Sequence, residues 1–188
     1  RKGVYVDFVR KDSSKFKHSF ARVALLTQSR GTGTLERKTF MLLEAGTDVY
    51  INDFFGWEKD IKVDVGLRYE NTSRGGEEYE EVALTSMLID AGLSLEFSEK
   101  LDFLVGAKLW MVDGNAYTNQ RNIYNTIDNF GIDSFDFTEN TIATGLRYRF
   151  NANNILSAQY QLFEINHADD ALVNYGISQF TLLYSLSF

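Results

Sequence analysis

His167 is followed by Asp169 and Asp170, and an imidazole beside carboxylates is the combination that proton-transfer chemistry uses. No nucleophile or second acid is arranged around it, so a solvated polar loop explains the group with fewer assumptions. Asp113, Asn115, Asn119, Asp128, Asp133 and Asp136 offer the oxygen donors that calcium takes, but their spacing matches no calcium loop. Gly31-Thr32-Gly33 and Gly75-Gly76 read as loop glycines, not as a phosphate cradle. There are no cysteines, which excludes a thiolate nucleophile, cysteine-ligated metals and disulfide staples. The expectation is a protein that is not an enzyme, with no catalytic residues, no metal and no cofactor.

Most of the other charged residues obey a different rule. They alternate with apolar residues at period two, which places them on one face of a β-strand. The segment 60–71 is the clearest: Ile61, Val63, Val65, Leu67 and Tyr69 oppose Lys62, Asp64, Gly66, Arg68 and Glu70. Nine strands follow this pattern, near 3–11, 18–28, 38–51, 60–71, 79–98, 100–113, 139–150, 154–166 and at the C-terminus. Their polar faces collect Glu44, Asp48, Lys62, Asp64, Arg68, Glu70, Asp90, Glu96, Asp102, Lys108, Arg147 and Arg149. Gly46, Gly66, Gly92, Gly106 and Gly145 recur on the same faces. Such glycines either relieve curvature in a coiling wall or form a smooth stripe for a plug or partner polypeptide.

The 188 residues suffice for one domain, 1–188, and nothing marks a second. Proline is absent, as suits a sheet with few edges, and 15 Phe with 10 Tyr suit strands and membrane interfaces. A net charge of −7 argues against a nucleic-acid partner, which would require a basic surface. No run approaches the roughly 18 apolar residues of a membrane helix. The mean hydropathy would suit a soluble protein, but strands that dilute each apolar residue with a polar one give the same value.

In the final strand Phe180, Leu182, Tyr184, Leu186 and Phe188 share one face, opposite Gln179, Thr181, Ser185 and Ser187. Short turns at 98–100 and 151–153 and fairly short segments at 12–17 and 52–59 alternate with longer polar stretches at 29–37, 72–80, 114–137 and 167–174. A terminal aromatic, long alternating strands and loops sorted by end resemble a Gram-negative outer-membrane β-barrel. The resemblance implies an all-β, transmembrane, antiparallel up-and-down barrel with eight or nine strands in this chain. It also implies that the five terminal-strand residues are the signal read by the barrel-assembly machinery. Phe188→Asp is therefore expected to cut insertion sharply, and normal outer-membrane levels of that variant would refute the assignment. The competing fold is a soluble antiparallel sandwich, whose strands are usually shorter and whose loops are not sorted by end.

An Arg or Lys facing lipid at mid-bilayer costs about 2–4 kcal/mol, so the twelve charged residues are expected to line a lumen and the apolar faces to meet lipid. Those charges serve either as a salt-bridged interior that stiffens the wall or as the lining of a polar passage. Phe97, Phe103, Phe150, Phe188, Tyr69 and Tyr160 would form interfacial girdles, with Trp57 at the periplasmic end. Nine strands is an odd number, so either 3–11 is not a membrane strand or the chain is the C-terminal part of a larger barrel; Arg1 in place of Met favours the second. The leading expectation is a porin-like channel, or the barrel wall of a transport or secretion assembly with other subunits. A non-conducting scaffold or adhesion barrel that binds a partner through its external loops is the alternative, and an outer-membrane hydrolase using His167 ranks below both. His18 and His167 are expected on opposite sides of the membrane.

Overall fold

β-Branched and aromatic residues alternate with polar ones without a proline to interrupt the ladder, and the chain folds almost entirely as strand. A computed structural model describes residues 2–11, 16–30, 36–76, 79–121, 127–168 and 174–186. The strands are β1 (Lys2–Lys11), β2 (Phe16–Arg30), β3 (Glu36–Tyr50), β4 (Ile61–Gly76), β5 (Tyr79–Ser98), β6 (Leu101–Arg121), β7 (Ile127–Ser134), β8 (Phe137–Asn151), β9 (Asn154–His167) and β10 (Tyr175–Leu186). One four-residue helix, α1 (Asn52–Phe55), joins β3 to β4. Nine strands form an up-and-down antiparallel sheet in the order β1-β2-β3-β4-β5-β6-β8-β9-β10, and β7 pairs with β6 off this path. Among the described residues, no helix is long and apolar enough to cross a membrane.

The connections at one end are tight. Asn151 Oδ1 accepts from the Asn153 amide at 2.9 Å and from Asn154 Nδ2 at 2.8 Å, so one side chain closes the β8–β9 turn. The β3–β4 connection is held by Asn52. Its carbonyl accepts from Gly56 N at 2.8 Å and Trp57 N at 3.2 Å, and its side-chain amide donates to Asp60 at 3.0 Å. Gly56 closes the helix at φ 68°, a left-handed conformation that glycine adopts without a Cβ penalty. Phe55 and Trp57 stack at 5.2 Å on this turn, and both are exposed.

Three expectations change. The stretch 114–137 is not simply a loop, because β6 continues to Arg121 and pairs with β7. Its polar composition hid a hairpin whose ladder needs backbone groups and no apolar face. β4 likewise runs on to Gly76, with Thr39 opposite Ser73 and Lys38 opposite Arg74, through residues read from sequence as the start of a loop. The third change concerns closure. Over its described residues the sheet is open, with β1 and β10 as its two edges.

Gly114 marks the point where β6 changes partner, since Val112 pairs with β8 and Asn115 with β7. Its φ of 122° is a glycine conformation, and a Cβ there would collide with the Ala83 carbonyl of β5. Gly114→Ala is expected to destabilise the protein by about 1–3 kcal/mol, read as a lowered urea midpoint in detergent.

Candidate functional site

Residues paired across an antiparallel ladder point to the same side of the sheet, so the register assigns every strand residue to one of two faces. One track runs Asp7–Arg22–Glu44–Arg68–Leu88–Trp110–Glu139–Ile165–Tyr175, and the next residue along each strand lies on the opposite face. All twelve charged residues expected to share a face do so. The other face carries the track Phe8–Ala21–Ala45–Leu67–Ile89–Leu109.

Burial runs opposite to that of a soluble sheet. Among the described residues every buried strand residue, Ala24, Val82, Asp102, Val112, Glu139 and Thr141, lies on the charged face. Leu43, Val65, Leu67, Ile89, Ile142, Leu146 and Leu162 are exposed on the other face. The sheet curls around its charged face. A concavity of about 730 Å³ is bordered by residues of β4 such as Lys62 and by Ser157 and Gln159 of β9, strands that a flat sheet would hold about 19 Å apart.

The inner face is laced by ion pairs. At the turn end the Asp102 carboxylate, 3% exposed, accepts from Arg147 at 2.7 Å and also from Arg149. Lys62 lies 3.6 Å from both Asp48 and Asp64, carboxylates that the register sets directly opposite each other. Lys108 pairs with Glu139, which also accepts from Thr141 at 3.4 Å. Arg22 bridges Asp7 at 3.3 Å and Glu44 at 3.1 Å, and Arg68 meets Glu70 at 2.6 Å. Among the described residues Asp90 and Glu96 make no ion pair, although the Asp60 amide donates to Glu96. Glu139, Arg22 and Asp7 belong to this lattice but not to the twelve. Strand parity alone could have added them, since each alternates in step with the charges already on the polar faces.

The glycines divide. The Phe20 ring covers Gly46, the Asp90 carboxylate occupies the space where a Gly66 Cβ would stand, and Asp64 does the same over Gly92. Gly145 lies against the Ala158 carbonyl of β9, and Gly106 faces open space, with nothing closer than 3.9 Å. Gly66 and Gly92 thus make room for cross-strand carboxylates and form no part of a smooth stripe, while Gly106 and Gly145 border the concavity.

The outer face carries an apolar band with a definite slant. From Asn71, Asp113, Asn140 and Glu164 to the turn ends of β4, β6, β8 and β9, no charged residue interrupts it. Within it the Ser19 and Thr47 hydroxyls bond each other at 2.7 Å, and at its rim Asn71 donates to Thr85 at 2.9 Å. On β9 the band stops at Glu164, which traces through Asn140, Leu109 and Ile89 to Leu67, four residues short of Asn71. Four residues at about 3.3 Å over four spacings of about 4.8 Å correspond to a strand tilt near 35° if the band is level.

Aromatics gather at the turn end of the band. Phe97 meets Phe103 edge-on at 6.5 Å, and Tyr148 meets Phe150 at 4.9 Å. Tyr69 and Tyr160 lie instead toward mid-band, paired with Leu43 and Phe180. On β10, Phe180, Leu182, Tyr184 and Leu186 line the outer face and are all exposed. Phe188 lies outside the described residues, as do Asp169 and Asp170 beside His167. His18 pairs with Asp48 at the turn end and His167 with Phe137 at the loop end, so the two histidines are separated by the length of the sheet. No group of acids and histidines arranged for a metal occurs among the described residues. No family model, curated protein or solved structure matches the chain.

Proposed function

We propose that this chain forms the wall of a bacterial outer-membrane β-barrel, with its apolar band against lipid and its charged face toward an aqueous lumen. In that setting it works as a porin-like channel or as the barrel wall of a transport or secretion assembly. The inversion of burial carries the reading: exposed leucines, isoleucines and valines on one face, buried carboxylates and their cations on the other. In water that arrangement leaves apolar surface uncovered on strand after strand, whereas hydrocarbon accepts it and a polar interior satisfies the other side.

The concavity also has electrical sides. Asp64, Asp90 and Glu96 with Lys62 line its β4–β5 wall, while Lys108, Arg147 and Arg149 with Asp102 line its β6–β8 wall. With Asp60 of the β3–β4 connection on the same side, the formal charges are −3 and +2 on adjoining halves of the concavity, a field that orients a polar solute within it. The density of ion pairing favours a second reading, a stiff non-conducting scaffold whose loop end binds a partner.

The test uses outer membranes run on a gel with and without boiling, followed by single-channel recording of the purified protein. A mobility shift on boiling with stepwise conductance is expected. Absence of the shift removes the barrel, and a shift without conductance steps turns the reading to the scaffold.

A further inference from the structure

The two free edges of the sheet constrain what completes it. β1 and β10 are the first and ninth strands of a path in which every neighbour is antiparallel, so they run in the same direction. Joined to each other they would make a parallel pair in an otherwise antiparallel wall. A second copy does not remove the problem. Rotation about the membrane normal preserves strand direction, so β10 of one copy would still meet β1 of the next in parallel. Antiparallel closure requires an odd number of strands between the two edges.

The side chains on both edges are also uncovered. Every residue of β1 and β10 is exposed on both faces, unlike the central strands. On the inner face, where the central strands bury even carboxylates, Tyr5, Val9, Ile177 and Leu183 stand open to solvent. Inner-face apolar groups of this kind have no use for lipid, which lies on the other side. They need neighbours within the ladder.

We infer that β1 and β10 are docking edges for an odd-numbered set of further amphipathic strands of the same molecule, lying outside residues 1–188. The first of these runs antiparallel along β1 and the last antiparallel along β10. Each presents apolar residues outward, level with the slanted band, and covers Tyr5 and Val9 on one side and Ile177 and Leu183 on the other. This inference rests on the barrel reading. Its chemistry follows from the membrane: a free strand edge in hydrocarbon leaves its backbone donors and acceptors without partners, so the wall closes. Parity sets the odd number, and the assignment to the same molecule follows the general pattern of bacterial barrels, which close an even number of antiparallel strands within a single chain.

The test places p-benzoylphenylalanine at Tyr5, Val9, Gln179 or Leu183, one position at a time, in the full-length protein in outer membranes. After irradiation, adducts are mapped by mass spectrometry. The expected result is an intramolecular adduct to residues outside 1–188 from all four positions. Moving the probe from Tyr5 to Val9, or from Gln179 to Leu183, should shift the adduct toward the N-terminus of the contacted strand, as antiparallel pairing requires. Adducts between β1 and β10, to a second copy, to a different protein, or to lipid alone overturn the inference, and so does a shift in the parallel sense. The boiling shift of the unmodified protein separates the two claims. If the shift is present and the adduct map is wrong, the closure inference fails while the barrel reading stands; if the shift is absent, the barrel reading itself fails.

Discussion

Leu67→Arg is expected to weaken folding into lipid vesicles or detergent by about 2–4 kcal/mol, the cost of an arginine on the lipid face of a barrel near the bilayer midplane. Leu67 sits in the middle of the apolar band between Ala45 and Ile89, with a relative exposure of 49%. The two environments predict different outcomes. If that exposure were to water, an exposed leucine could become arginine within about 0.5 kcal/mol of neutral, and with better solubility. Against hydrocarbon the guanidinium must snorkel or draw in water, and insertion suffers. Ser94→Arg on the inner face is the control, because Ser94 lines the polar concavity on the same strand as Glu96. A Leu67 variant that folds and inserts as well as the Ser94 variant would remove lipid from the outer face.

The two faces were legible in the sequence because a period of two survives any error in strand ends. Lys62, Asp64, Arg68 and Glu70 stay in phase wherever β4 stops. Pairing two adjacent strands by composition alone is harder, but the tight turns at 98–100 and 151–153 leave little freedom, so β5 with β6 and β8 with β9 followed. The β6–β7 hairpin was not legible: 127–134 mixes Ile, Asp, Asn, Phe and Gly without a period, and only the neighbouring ladder makes it a strand. Closure was not legible either. Alternation says which way a side chain points and nothing about how many strands complete the circle. Gly66 and Gly92 differ from a smooth stripe for a related reason. A glycine on a polar face reads as empty space, yet Asp90 fills the place over Gly66 and Asp64 the place over Gly92, cross-strand contacts set by register alone.

Asp102→Ala is expected to be the most damaging change on the inner face. The carboxylate is 3% exposed and is shared by Arg147 and Arg149, which the strand period sets two residues apart on β8. Removing it leaves two guanidiniums side by side with no common counter-charge. Breaking a fully buried pair in this way costs about 3–5 kcal/mol. Here the arginine side chains keep 37% and 35% of their exposure, so solvent screens part of the loss and about 2–3 kcal/mol is the expected destabilisation. Arg149 also donates to the Glu99 carbonyl at 3.3 Å, so the β5–β6 turn should loosen with it. Asp90→Asn provides the contrast: Asp90 makes no ion pair among the described residues, and asparagine preserves the volume that sits over Gly66. Urea unfolding of both variants in the same detergent decides the point. A large loss for Asp102→Ala beside a negligible one for Asp90→Asn assigns the stiffness of the wall to its ion pairs. Equal losses would mean that the Asp90 charge, which makes no ion pair among the described residues, supports the inner face as much as the shared Asp102 pairs do, and would overturn the assignment of stiffness to ion pairing.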